Sequence, residues 1–410
     1  MSNTLSVIDM VAAKAMKHAH EKATFIGTIN RSYDDSFGKT GGKIGSTLRV
    51  RDPNQFSVTD GRAMVVQDVT ETTQTVTLAT QYHVGIRFNS AELELSIDEI
   101  DDRYIEPAMN TLVSKIDGEA LVQATKDTYN IAGTAGTPVG TVTSGFADTS
   151  ALGLARAKLN QGLAPKSNRF VQMDSITMAS LTNGIKPLFH PESEVRKGFL
   201  EGHIGHAMGT EFYENERVWT MTHSDDVTAD TDAAALVTDG GVVIDMHTLL
   251  PVAKQTVGTV FTVAGVYAVH PETKAKLSHL QQFTIVSIGA TTTTVSPTIY
   301  LTGPKQNVAS ATGAVLATTA FNAAAVVFVG AASTSYVQSL MYHRDAFTFV
   351  TADLPLMSKS SEECVRMVKD GIALRVWKDS DIRNDELLMR IDILWGFKTL
   401  RSAWATRITS

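Results

Sequence analysis

The sequence has one cysteine, Cys364, among its 410 residues. A single thiol cannot close a disulfide within its own chain, so a small disulfide-stapled scaffold is excluded. This cysteine usage is typical of a protein made in a reducing compartment. Glu362 and Glu363 precede Cys364, and acidic neighbours disfavour the reactive thiolate, so a catalytic cysteine is not expected.

Long apolar runs and an excess of basic residues are also missing. The best apolar run, residues 323–332, is far shorter than the roughly 20 residues that a membrane-spanning helix needs. Near the amino end, Lys14, Lys17 and His18 interrupt every apolar stretch, so no signal-peptide core is predicted. The formal net charge of −7 argues against general nucleic-acid binding by the whole chain. We therefore expect a soluble protein with no membrane partner.

Two glycine-containing stretches invite a nucleotide-binding interpretation, and neither supports it. Residues 38–40 read Gly-Lys-Thr, but a phosphate loop needs a glycine at position 33, where Tyr33 stands. No strand precedes this stretch and no helix follows it, so backbone amides are not set to cradle a phosphate. The glycines at 202, 205 and 209 lack the spacing of a dinucleotide fingerprint. Glycine-rich turns explain both stretches, and no cofactor is expected.

One group of residues has the chemistry of a metal site, namely His190, Glu201, His203 and His206. Zinc sites need three or four oriented ligands. Here two histidines flank Gly205 in a predicted loop and no His-Glu-x-x-His pattern is present. We therefore expect neither a metal site nor a catalytic set, and the chain is not predicted to be an enzyme.

Apolar periodicity predicts two helices in the amino-terminal third. Within residues 1–31, an apolar stripe at helical spacing indicates an amphipathic helix. A second helix is predicted to follow a capping box at Ser96 and Glu99 and to run to about Tyr129. Pro107 is expected to open this helix or to kink its first turn. At over 20 residues, the helix would be about 30 Å long.

Alternating apolar residues predict strands at both ends of the chain. Residues 34–90 alternate in two places around the Asp60-Gly61 turn signal, which indicates a long two-stranded ribbon. Near the carboxyl end, strands are predicted at 346–350, 371–377 and 387–397, the last two as antiparallel neighbours. Between residues 225 and 336 charges become sparse, and short strands recur without a helical pattern. That texture is typical of a small barrel or sandwich.

Three stretches resemble one family, the major capsid (coat) proteins of short-tailed bacteriophages of the Salmonella-phage type. The strongest resemblance is HRDAFTFVTADLPL followed by GIALRVWKDSDIRNDELLMRIDILWGFKTL at the carboxyl end. The second is FGKTGGKIGSTLRVRDPNQFSVTDG at 37–61, and the third is FLEGHIGHAMGTEFYENERV at 199–218. The stretches keep the family's order along the chain.

The resemblance implies an α+β chain with the Hong Kong 97 type capsid fold and an inserted, small, all-β barrel-like domain. The parts implied are an amino-terminal arm (1–33), an extended β-loop with peripheral-domain strands (34–90), a spine helix (91–130), an axial domain (131–224), the inserted domain (225–338), and a return through the axial and peripheral strands (339–410).

The resemblance further implies a structural protein of the virion capsid, assembled in the host cytoplasm. Hexamers and pentamers would close into an icosahedral head around double-stranded DNA, with no sequence-specific contact to that DNA. A procapsid would form first, with a scaffolding protein and a portal protein as partners, and would then expand. Two other classes stay open at this point: a tail-tube type of phage structural protein, and a hydrolase with a β-rich accessory domain.

Two sets of residues are predicted to make the contacts of assembly. Arg49, Arg51, Asp60 and Arg62 lie on the predicted ribbon, where mixed charge favours contacts between subunits over contacts with nucleic acid. Asp9 and Lys14 of the first helix are the predicted contacts with scaffolding protein. The same helix has a second interpretation, in which it docks on its own domain.

Overall fold

The computed structural model describes residues 7–31, 47–56, 58–64, 66–67, 71–89, 104–143, 146–147, 149–185, 205–223, 228–231, 237–246, 255–290, 292–356, 364–381 and 386–410. Its α-helices are α1 (Val7–Lys22), α2 (Phe25–Thr28), α3 (Glu106–Asp127), α4 (Ser150–Gln161) and α5 (Ser175–Ile185). Short 3-10 turns occur at Thr318–Phe321, Arg344–Ala346 and Ser402–Trp404. The predicted capping box lies outside the described residues.

The strands are, in chain order, β1 (Thr47–Arg51), β2 (Thr73–Thr77), β3 (Thr80–Asn89), β4 (Ile131–Ala132), β5 (Val142–Thr143), β6 (Phe146–Ala147), β7 (Arg169–Met173), β8 (His206–Ala207), β9 (Thr210–Glu214), β10 (Trp219–Thr222), β11 (Thr228–Asp230), β12 (Gly241–Ile244), β13 (Val260–Val269), β14 (Lys276–Ile288), β15 (Thr293–Ile299), β16 (Val308–Ala309), β17 (Ala325–Phe328), β18 (Ser335–His343), β19 (Phe347–Ala352), β20 (Cys364–Lys369), β21 (Ile372–Asp381), β22 (Glu386–Thr399) and β23 (Ala405–Thr409). The chain therefore has the predicted mixed α+β character.

The chain divides into two compact units. The first comprises Met1–Arg51, Thr73–Ala120 and Phe347–Leu400. Its main sheet has the order β19-β22-β21-β20, and β3 pairs with the other edge of β22. All of these pairs are antiparallel. The ribbon of β1 and β2 is a separate two-stranded sheet.

Strand β3 departs from the ribbon that the sequence predicted. Only β1 and β2 form the ribbon, and β3 pairs along β22 from Asn89 opposite Glu386 to Thr80 opposite Trp395. The alternation of Val84 and Ile86 shows strand character but cannot name a partner 300 residues away. The predicted ribbon was therefore too long, and the Asp60-Gly61 turn signal lies in the connection between β1 and β2.

The second unit comprises Asp52–Thr72, Leu121–Ala346 and Arg401–Ser410. One of its sheets has the order β4-β23-β18-β7-β9-β8, with β10 paired to β18. Helix α4 packs on this sheet through Leu152, Ala155 and Leu159, which share a core with Val171 and Ile408. These positions follow the three- and four-residue spacing of a helix face.

The other large sheet of the second unit lies within residues 228–328. Its order is β11-β17-β13-β14-β15-β12, with β16 paired to β13, and every pair is antiparallel. Its core contains buried Phe261, Phe283, Phe321 and Phe328, surrounded by aliphatic side chains. We call this the 228–328 sheet. Burial of this apolar surface is what drives a charge-poor segment to fold.

Candidate subunit interface

The ribbon of β1 and β2 is anchored by one face and exposed on the other. Val50 and Val76 are buried with Leu78, Val350 and Leu400 in a small apolar cluster. Because side chains alternate along a strand, the neighbouring Arg49 and Arg51 lie on the opposite face, and both are exposed. The structure thus brings these two predicted contact residues together on an exposed ribbon.

The connection from β1 to β2 (the ribbon loop, Asp52–Thr72) carries the other two predicted residues. Asp60 and Arg62 are both exposed. The ribbon loop also exposes four large apolar side chains, which sequence reasoning missed: Phe56 (65%), Val58 (100%), Met64 (87%) and Val66 (75%). Single exposed apolar residues are ordinary on a protein surface, but four on one loop make it a candidate for a surface that a partner covers.

Helix α1 is docked within the first unit. Its Val11, Ala12, Ala15, Met16 and Ala19 are buried. Lys14 is half-buried, and Asp9 belongs to the helix although its side chain lies outside the described residues. The interpretation of this helix as docked on its own domain therefore describes α1, and its contact with scaffolding protein stays a prediction.

A buried carboxylate fixes the turn that follows α1. Asp117 of α3 is fully buried, and it accepts hydrogen bonds from the Thr24 hydroxyl (3.0 Å) and the Ile26 amide (2.9 Å). These two donors lie at the start of α2, where helix amides lack partners within the helix. Asp117 thereby links α2 to α3, and no local sequence pattern predicts this role.

A second buried carboxylate joins strands β21 and β22. Asp392 is fully buried, and its Oδ2 accepts from Nε (3.2 Å) and Nη2 (2.7 Å) of Arg375, which is itself buried. Its Oδ1 accepts from Nε of Arg390 at 2.6 Å. Hydrogen bonds between two charged groups are stronger than those between neutral groups. Arg375 also donates to the Pro355 carbonyl oxygen (2.8 Å), so both charges are well satisfied.

Buried Arg407 and half-buried Lys158 of the second unit bind neutral oxygens, among them those of the Thr284 and Gln282 side chains in the 228–328 sheet. Arg407 donates to the carbonyl oxygens of Gly258 and Lys126 and to the Thr284 hydroxyl. Burial lowers the pKa of Arg407 to about 9, against the opposing charge of Asp127. Burial likewise lowers the pKa of Lys158 to about 8, and its ammonium donates to the carbonyl oxygen of Ile131 and to Gln282.

A histidine lies where the chain leaves the second unit and returns to it. The Arg401 amide donates to the Ala346 carbonyl oxygen at 3.0 Å, which ties the two passages together. Beside this tie, buried His343 meets Trp404 edge-on at 5.2 Å between ring centroids. Its Nδ1 accepts from the Asp345 amide (3.2 Å). Burial lowers the pKa of His343, the positive charges of Arg169, Arg401 and Arg344 lower it further, and Asp345 opposes them.

The remaining candidate residues do not form a chemical site in the described part of the chain. His206 is exposed in β8, while His190, Glu201, His203 and residues 38–40 lie outside the described residues. Among the residues that are described, no three potential ligands gather as a metal site would require. Cys364 is buried at the start of β20. None of the described helices has the length and apolar character to cross a membrane.

The comparison that decides the class is with protein families. Residues 223–405, or 183 of the 410 residues, match the family described as "P22 coat protein - gene protein 5". The match supports a phage major capsid protein. The resemblance seen in the sequence is thereby confirmed, as are the α+β fold class and the place of the protein in the virion capsid. Coat proteins are structural subunits rather than enzymes, so the hydrolase alternative falls away, and so does the tail-tube alternative.

Solved phage structures are also similar to this chain, at low identity. A structure from Mycobacterium phage Che8 is 12% identical with a TM-score of 0.49, covering 94% of this chain and 90% of that one. The capsid of Ralstonia phage GP4 is 8% identical with a TM-score of 0.42, covering 95% and 90%. These likenesses carry no argument of their own. No curated protein matches the sequence.

Proposed function

We propose that this coat protein assembles through hexamers and pentamers into a scaffolded procapsid, in the host cytoplasm, and that the shell then expands around double-stranded DNA. The scaffolding protein and the portal protein are its partners in assembly, and the packaged DNA is a neighbour without sequence-specific contacts. Residues 225–338, which contain the 228–328 sheet, form a domain inserted into the capsid fold.

The observation that carries the proposal is the exposed surface of the ribbon and its loop. Arg49 and Arg51 of the ribbon, and Asp60 and Arg62 of the loop, are exposed, and so are four large apolar side chains of the loop. A second copy of the chain would bury those apolar groups while the charges set register and orientation. Many weak contacts of this kind add up in a closed shell because each subunit makes several at once.

The test is a pair of matched double variants. Arg49→Ala with Arg51→Ala removes two exposed charges from the ribbon, whereas Arg156→Ala with Lys166→Ala removes two exposed charges from elsewhere in the second unit. We expect both to fold as the unchanged protein does and only the ribbon variant to lose shell formation, measured by sedimentation and electron microscopy. Normal shells from the ribbon variant would count against the proposal.

The scaffold contact needs point substitutions rather than a truncation. Deleting α1 would uncover the apolar surface that Val11, Ala15 and Met16 cover, so loss of scaffold binding would be confounded with misfolding. Asp9→Ala with Lys14→Ala keeps those apolar residues. We expect weaker co-sedimentation with scaffolding protein, while Lys17→Ala, an exposed position on the same helix, keeps it. Co-sedimentation of the double variant at the unchanged level would exclude Asp9 and Lys14 as the contact.

A further inference from the structure

A connection in the 228–328 sheet reaches the base of the ribbon loop. Residues 300–307 join β15 to β16, and within them Lys305 donates from Nζ to the Thr72 hydroxyl oxygen at 3.2 Å. That hydroxyl donates in turn to Oδ2 of Asp52 at 3.4 Å. The Asp52 amide also donates to the Thr72 carbonyl oxygen (2.9 Å). Lys305 therefore contacts the point at which the two ends of the ribbon loop meet.

The connection that presents Lys305 is itself held in place. Asn307 accepts from the Tyr300 amide (2.9 Å) and donates to the Thr298 carbonyl oxygen (2.7 Å). Asp239 accepts from the Leu301 amide at 2.7 Å. Short side chains that bond to nearby backbone in this way fix a turn. Residues 300–307 are therefore held in a fixed conformation where they contact the base of the ribbon loop.

Tyr300 completes the contact. The Lys305 ammonium lies 5.8 Å from the centre of the Tyr300 ring, within the range of a cation–π interaction. Burial raises the pKa of Tyr300, and the negative charges of Asp52 and Asp239 raise it further. The Lys305 ammonium thus contacts an aromatic ring and a hydroxyl, and that hydroxyl is bound to a carboxylate.

We propose that Lys305 and Tyr300 brace the base of the ribbon loop, so that the 228–328 sheet sets the direction in which the loop's apolar residues meet a second subunit. This inference rests on the proposed function of the ribbon loop as a contact between subunits. It gives the 228–328 sheet a role in positioning an assembly surface of its own chain.

The chain offers a matched control for this brace. Lys276 belongs to the same sheet, lies 4.5 Å from the centre of the Tyr267 ring, and donates to the Ala311 carbonyl oxygen at 2.8 Å. Lys276→Ala therefore removes the same chemistry at a place away from the ribbon loop. Lys305→Ala removes the brace, and Lys305→Arg keeps a cationic donor there.

The first measurement is hydrogen–deuterium exchange of unassembled subunits. In Lys305→Ala we expect peptides covering residues 47–56 to exchange about threefold faster or more, because the base of the loop opens more often. Lys276→Ala and Lys305→Arg are expected to match the unchanged protein. Equal exchange in all four proteins would overturn the brace.

The second measurement is the rate and product of assembly. We expect Lys305→Ala to form shells more slowly or with defects, and Lys276→Ala to assemble normally. If Lys305→Ala loosens the loop and still assembles normally while Arg49→Ala with Arg51→Ala does not, the positioning role is wrong and the proposed interface stands. If neither assembles differently from the unchanged protein, the proposed interface is wrong and the positioning role is wrong with it.

Discussion

The ribbon loop and the pair of strands β21 and β22 reverse the usual placement of side chains in opposite ways. The ribbon loop holds Phe56, Val58, Met64 and Val66 in solvent, whereas β21 and β22 bury the charges of Arg375 and Asp392. The buried charges satisfy each other within one chain at 2.7 Å. The exposed apolar groups have no such partner among the described residues, and in the proposed interface a second copy of the chain supplies one. In the proposed interface the exposed apolar side chains become covered on assembly, whereas the buried ion pair is already complete within one chain.

The largest loss of stability is expected when Asp392 loses its charge. Asp392→Asn leaves Arg375 buried beside a neutral amide, so we expect the free energy of unfolding to fall by about 2–4 kcal/mol. Urea unfolding of unassembled subunits measures this. Glu119→Gln, which weakens the pair of exposed Lys115 and half-buried Glu119, should cost much less. Similar losses in the two variants would show that burial of the ion pair does not matter.

Buried Arg407 tests whether a buried cation needs a carboxylate partner to stabilise the fold. Arg407→Met removes the donor that three oxygens of the second unit share, and each oxygen stays buried without it. We expect a loss of about 2–3 kcal/mol in the free energy of unfolding, again by urea denaturation. The matched control is Arg156→Met, at an exposed position. A stability equal to that of the control would mean that water or a rearranged side chain replaces the guanidinium.

Buried His343, beside the hydrogen bond from Arg401 to Ala346, makes the free energy of unfolding depend on pH. Because its pKa is lowered in the folded chain, His343 resists protonation there, and the unfolded chain takes up the proton first. Stability is therefore intact above the ordinary histidine pKa of about 6.5 and falls as the pH drops from there toward the lowered value. His343→Asn keeps an acceptor near Nδ1 and cannot be protonated in this range.

Urea unfolding at several pH values between neutral and mildly acidic measures the effect. We expect the unchanged protein to lose more stability on acidification than His343→Asn does. His206→Asn, at an exposed histidine, should follow the unchanged protein. Parallel pH profiles for the unchanged protein and His343→Asn would show that His343 does not cause the loss of stability on acidification.

The smallest effect on stability, and a large one on assembly, is expected in the ribbon loop. Phe56→Ser with Met64→Ser replaces two exposed apolar side chains, so the free energy of unfolding should change by no more than about 0.5 kcal/mol. Shell formation should fail or slow, as judged by sedimentation. Ile176→Ser, which replaces an exposed apolar residue of α5, is the control. Unimpaired assembly of the loop variant would mean that no subunit covers those side chains.

Regular local patterns predicted much of the fold. The strands predicted at 346–350, 371–377 and 387–397 correspond to β19, β21 and β22. The long helix is present as α3, and β21 pairs with β22 as predicted. Strand β20 was not predicted, although the turn that follows it has a sequence signal. Asp370 and Gly371 join β20 to β21 with positive φ angles of 48° and 78°, and the dipeptide Asp-Gly is typical of such a hairpin turn.

Local sequence patterns do not show which residues each side chain contacts in the folded chain. Arg375 and Asp392 alternate with apolar neighbours and so resemble a solvent-facing side of a strand, yet a second layer of chain covers them. Arg49, Arg51, Asp60 and Arg62 were predicted to be available to a partner, and all four are exposed. The apolar residues of the ribbon loop went unnoticed because each stands alone among polar neighbours.

The tie between Arg401 and Ala346 bears on the order in which the first unit folds. It closes the base of Phe347–Leu400, within which β19 to β22 pair over short sequence separations. Strand β3 must reach β22 across some 300 residues, and contacts of such high contact order form slowly. We expect strands β19 to β22 to pair early in folding and β3 to pair last. Until β3 pairs, one edge of β22 stays exposed to mispairing and aggregation.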